Sequence, residues 1–67
     1  MNSEEIALVK DTMQRRNLNE YEAKHFVHKE MNRIFDLMEE VGPAGAFHEF
    51  ENVFGESYGW EFFIELI

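Results

Sequence analysis

The sequence predicts a small all-α domain of three to four helices built around one long central helix. Two observations carry that expectation. Apolar residues recur at three- and four-residue steps through most of the chain, and helix start and stop signals punctuate this periodicity at Asn19 and at Gly42–Pro43. Sixty-seven residues, 45% of them hydrophobic, suffice for one folded domain and are too apolar for a disordered acidic tail, despite a formal net charge of −8.

The first helix is expected over residues 3–16. Ile6, Val9 and Met13 share one face, with Leu8 widening the stripe. Asn2 or Ser3 is available as the cap, and Lys10, Arg15 and Arg16 lie toward the end where cations oppose the negative pole of the helix dipole. The second, over 19–41, carries the strongest signal. Asn19 and Glu22 have capping-box spacing, and Ala23, Val27, Met31, Ile34, Met38 and Val41 form a continuous stripe flanked by Phe26, Phe35 and Leu37. Gly42 and Pro43 then end it. A helix of about 23 residues is about 35 Å long. Its shorter neighbours cannot easily cover such a rod, so Val27, Met31, Ile34 and Met38 are expected to serve a homodimer as well as the core.

Residues 44–54 place Phe47, Phe50 and Phe54 on one helical face, with Gly55 as terminator. In 58–67, Trp60, Phe63, Ile64 and Ile67 fit helical spacing, and Phe62 and Leu66 sit on a flank of that face. The alternation of Trp60, Phe62, Ile64 and Leu66 also fits a strand. Helix is preferred, because a lone strand would have no pairing partner elsewhere in the chain. Ser3 and Ser57 read as helix caps.

Charge is unevenly distributed. Residues 1–17 hold three acids and three bases, and residues 18–42 hold six acids and three bases. The last 25 residues hold five acids, Glu49, Glu51, Glu56, Glu61 and Glu65, and no base, together with seven of the ten aromatic residues. The plain reading makes these glutamates solvated helix faces and the aromatics core. The functional reading makes the glutamates the rim of a surface for a basic protein partner, with Phe47, Phe50, Phe54, Tyr58, Trp60, Phe63 and Ile67 as apolar anchors or dimer contacts.

Composition disfavours other chemistries. The chain has no cysteine, which removes disulfides and thiolate zinc sites and fits a reducing compartment. Neither serine stands in a Gly-x-Ser-x-Gly context, and the glycines around Pro43 make no phosphate-binding loop. Glu22, His25 and His28 include the Glu-x-x-His spacing found in di-iron bundles, but such a site needs two of these motifs and two further glutamates, and the chain has one motif. No cofactor is expected. Six bases interleaved with acids argue against direct nucleic-acid binding. The first residues lack a basic segment leading into an apolar run, and no apolar stretch approaches the roughly 20 residues that span a bilayer. The expectation is a cytoplasmic, non-catalytic module that modulates or inhibits a basic, nucleic-acid-engaging protein, as small inhibitors from phages and mobile elements do. A helical dimerisation or adaptor subunit is the alternative, and a metal-binding helical protein the third reading.

Overall fold

The computed structural model describes residues 2–67, which contain three α-helices and no strand: α1 (Ser3–Arg16), α2 (Glu20–Phe54) and α3 (Trp60–Leu66). Asn2, rather than Ser3, caps α1, its side-chain oxygen accepting the Glu5 backbone N–H at 2.8 Å. Glu4 and Glu5 occupy the first turn and Arg15 and Arg16 the last, so both ends of α1 match the helix dipole. Asn17 ends the helix in the left-handed region (φ 56°, ψ 51°), a conformation that Asn tolerates better than other side-chain-bearing residues.

At the start of α2 the capping box is complete. Asn19 accepts the Glu22 backbone N–H at 2.8 Å, and the Glu22 carboxylate accepts the Asn19 N–H at 3.0 Å. Asn19→Ala is expected to destabilise the protein by about 1 kcal/mol. A fall in the urea midpoint with unchanged slope would show it.

The 35 residues of α2 would run about 52 Å if straight, yet the longest dimension of the molecule is 32 Å. The difference is taken up at Gly42, the one residue of α2 with non-helical dihedrals (φ 78°, ψ 173°), which lie in a region essentially reserved for glycine. Pro43 follows, at a position where a missing N–H is tolerated because a helix start leaves that donor unpaired. The helices expected over 19–41 and 44–54 therefore join through a one-residue bend as two limbs of α2, which gives three helices within the expected three to four. The second limb folds back along the first. Arg33 reaches Glu49 across the bend at 2.7 Å, and the Phe26 and Phe54 rings meet edge to face at 5.9 Å.

This bend revises the expectation about the long stripe. Val27, Met31 and Ile34 are 1%, 6% and 0% exposed within the single chain, and Met38 is half-buried against the same core. Leu8 and Val9 of α1, Ala46, Phe50 and Phe54 of the second limb and Phe63 of α3 complete that core. An uncovered rod was the reason to expect a homodimer through these residues, and the chain itself packs the stripe from Ala23 to Met38, leaving Val41 49% exposed.

The C-terminal segment is helical, as preferred over a strand, but shorter than 58–67. Gly59 stands at the N-cap without a side-chain hydrogen bond, and Ser57, expected to cap, instead accepts from Arg15 at 3.0 Å. Seven residues are too few for an isolated helix to persist in water. α3 is held by packing, with Phe63 fully buried. No helix among the described residues is long and apolar enough to cross a membrane.

Candidate protein-binding surface

The aromatic residues expected as partner anchors divide into two groups. Phe50 and Phe63 are fully buried and Phe54 is 5% exposed. The Phe50 ring packs against Phe54 at 5.1 Å, Phe63 at 5.2 Å and Tyr58 at 5.9 Å. These three phenylalanines are core, and the expectation that they face a partner is corrected. Phe47 and Tyr58 are half-buried, while Trp60 and Ile67 remain exposed at 43% and 51%.

The orientation of α3 explains this division. At roughly 100° per residue, Phe62, Phe63 and Leu66 form one sector, which the structure turns inward. Trp60, Ile64 and Ile67 form a second sector, turned outward, and Glu61 and Glu65 a third beside it, both exposed. The inward face is thus turned by about 100°, a little over a quarter of a turn, from the expected one of Trp60, Phe63, Ile64 and Ile67. Phe62 and Leu66, placed on its flank by spacing, pack against the core, and Ile64 emerges as a surface residue that spacing had assigned inward.

The five C-terminal glutamates also separate. Glu49 is neutralised by Arg33, whose hydrogen bond holds the Glu49 carboxyl below its ordinary range, with Asn52 adding a second hydrogen bond. Reciprocally, Glu30 and Glu49 raise the Arg33 guanidinium. Glu51, Glu56, Glu61 and Glu65 have no cationic partner within 4.0 Å among the described residues. Two of the four are placed against the helix dipole, while Glu61 lies in the first turn of α3, where the dipole favours an anion. Glu51 and Glu65 sit in the last turns of α2 and α3, and neither turn contains a base. Anions at that pole cost a few tenths of a kcal/mol to about 1 kcal/mol each. α1, with acids first and bases last, shows that the chain can follow the favourable pattern.

Three contacts fix α3 on the body. On its N-terminal side, the Tyr58 hydroxyl donates to Asp11, which is also paired with Arg15 at 2.9 Å. Arg15 continues to the Phe54 carbonyl oxygen at 3.3 Å and to Ser57, closing the turn that leads into α3. On its C-terminal side, Asn2 donates to the Glu65 carbonyl oxygen at 3.2 Å. A cleft of about 430 Å³ lies beside Arg15, lined by Asp11, Arg16, Asn52 and Gly55 among others, and the Arg15 guanidinium is already engaged by the contacts just described.

Burial, then the hydrogen bond to the Asp11 carboxylate, raises the Tyr58 phenol well above its ordinary value of 10.0. The unfolded chain therefore ionises this group first. The stabilisation is fully present below about pH 10 and is lost as pH rises above it. Thermal melting from pH 8 to 11.5 should show this alkaline loss, and Tyr58→Phe should flatten it while costing about 1 kcal/mol near neutrality.

The residues with metal-ligand spacing do not converge. Glu22 is committed to the capping box, His28 pairs with Glu5 of α1 at 3.0 Å, and His25 is exposed. Among the described residues, no group of three or more His, Asp or Glu side chains is disposed to hold a metal ion. Comparison with known proteins finds no matching family model, no matching curated protein and no matching solved structure.

Proposed function

We propose that the protein is a small acidic protein-binding module that modulates or inhibits a basic, nucleic-acid-engaging partner. The specific form we favour is an inhibitor from a phage or mobile element, directed at a host defence or nucleic-acid enzyme and acting in the cytoplasm without catalysis. The observation that carries the reading is the placement of unpaired glutamates at the negative poles of α2 and α3, with no base in either final turn. Carboxylates so placed add to the helix dipoles, and they offer Arg and Lys charge-assisted hydrogen bonds of the kind phosphates offer. Local departures from favourable placement are expected where function requires them.

The test is affinity purification from host lysate with mass spectrometry, comparing the native chain with a variant carrying Glu51→Gln, Glu56→Gln, Glu61→Gln and Glu65→Gln. The native chain should retain a basic nucleic-acid-binding protein that is released as salt rises, and the variant should lose it. Recovery of no basic protein would sink the proposal. A helical adaptor is the second reading, favoured by the exposed Trp60, Ile64 and Ile67. Under that reading the glutamine variant keeps its partner.

A further inference from the structure

We infer that the outward side of α3 is the docking surface, and that its occupant is a protein presenting an apolar socket flanked on one side by Lys or Arg. The inference deepens the acidic-module reading and rests on it.

The geometry of one short helix supports this assignment. Trp60, Ile64 and Ile67, at i, i+4 and i+7, are 43%, 41% and 51% exposed and form an apolar ridge. Glu61 and Glu65 form an acidic ridge about 120° around the same helix. The two glutamates are a like-charge i, i+4 pair, which destabilises an isolated helix by roughly 0.2–0.5 kcal/mol. A second surface supplying cations would reverse the sign of that contribution. Trp60 is held in position before any partner arrives: its ring stands edge to face on Phe47 at 5.3 Å and lies 5.8 Å from Phe63. A tryptophan that is half anchored and half exposed is the kind of side chain that dominates binding energy at interfaces.

Charge decides among occupants. Phosphate-rich surfaces, whether nucleic acid or anionic lipid, are repelled by Glu61 and Glu65. A second copy of this chain would bring further glutamates to the face and few free cations to meet them. Most of the cations such a copy could offer are engaged within it. Arg15, Lys24 and Arg33 are paired with Asp11, Glu20 and Glu30, and Arg16 lies over the Phe26 ring at 4.2 Å. A basic protein with an apolar socket satisfies both ridges.

The experiment titrates the full-length, isotopically labelled chain with three synthetic helical peptides of equal length, followed by NMR. One peptide carries a leucine stripe flanked by arginines, one replaces the leucines with serine, and one replaces the arginines with glutamate. Binding of the leucine–arginine peptide, with shifts centred on the Trp60 indole, Ile64, Ile67, Glu61 and Glu65, is the expected result. The other two peptides should bind roughly tenfold more weakly or not at all. Ile64→Ser, at a position outside the core, should weaken binding by about tenfold, and Glu61→Gln with Glu65→Gln should weaken it and reduce its salt dependence.

Shifts centred instead on Asp36, Glu39 and Glu40, the exposed acids on the first limb of α2 near the bend, would overturn the assignment to α3 while leaving the acidic-module reading standing. Equal affinity for the serine–arginine peptide would overturn the apolar ridge. Binding of none of the three would overturn both the surface and the reading beneath it. Self-association in sedimentation that Ile64→Ser abolishes would assign the face to a second copy and overturn the proposed occupant.

Discussion

Phe50→Ala should remove a large share of the protein's stability at 25 °C. Truncating a buried phenylalanine costs about 3–5 kcal/mol, and a chain of 67 residues has roughly 3–10 kcal/mol of total stability. Phe50 is fully buried, and its ring touches aromatic residues from the second limb of α2, from the turn and from α3. The void would open where these elements meet, and side chains on all of them would lose packing together. Circular dichroism during urea titration measures the loss directly. A destabilisation below about 1.5 kcal/mol would mean that the neighbouring rings collapse into the space, and that Phe50 is not the centre of the core. Phe47→Ala, at a half-buried position beside the same cluster, supplies the comparison and should cost less.

Gly42→Ala should destabilise the protein strongly, although it removes no side chain. A methyl group at this position meets nothing within 4 Å, so crowding plays no part. The cost is conformational. Gly42 sits at φ 78° and ψ 173°, where a side-chain-bearing residue is strained by about 1–3 kcal/mol. Pro43 removes the easy escape, because the residue before a proline is disfavoured in helical geometry and driven toward extended backbone at negative φ. Alanine at 42 must accept the strain or send the second limb in another direction, breaking the Arg33–Glu49 pair and the Phe26–Phe54 contact. D-alanine at position 42, introduced by chemical synthesis, separates these effects. It accepts positive φ and should restore or exceed native stability by restricting the unfolded chain. Equal melting temperatures for the L-alanine and native proteins would show that the bend does not depend on glycine.

Much of this fold was legible in the sequence, and what was missed shares a physical cause. The capping box at Asn19, the end of α1 at Asn17 and the break at Gly42–Pro43 are local features, set by hydrogen bonds and dihedrals within a few residues. The direction of the bend was not legible, because a glycine–proline break is compatible with many interhelical angles. The homodimer was expected because a helix over 19–41 is long for its shorter neighbours to cover, and the return of the second limb along it, which supplies much of that cover, depends on the direction of the bend. The face of α3 failed for a related reason. Its spacing admits two apolar sectors, one with Trp60 and Ile64 and one with Phe62 and Leu66, and Phe63 fits either. The choice between them is made by contacts remote in sequence, Tyr58 to Asp11 across 47 positions and Asn2 to Glu65 across 63. The acidic character of the C-terminal third was plain from composition. The withdrawal of Glu49 into an ion pair with Arg33 was not, since it depends on the two limbs lying side by side.

The fastening of α3 at both ends also bears on how the surface would bind. A seven-residue helix left free would sample many conformations, and a partner would have to order it on contact, losing affinity to conformational entropy. Here that ordering is completed during folding. Arg15 and Asp11 set one end from α1, Asn2 sets the other, and Phe63 plugs the middle into the core. Substitutions at Asp11 or Arg15, which lie off the outward face, would then act on recognition through the rigidity of a pre-organised helix rather than through any contact with the bound protein.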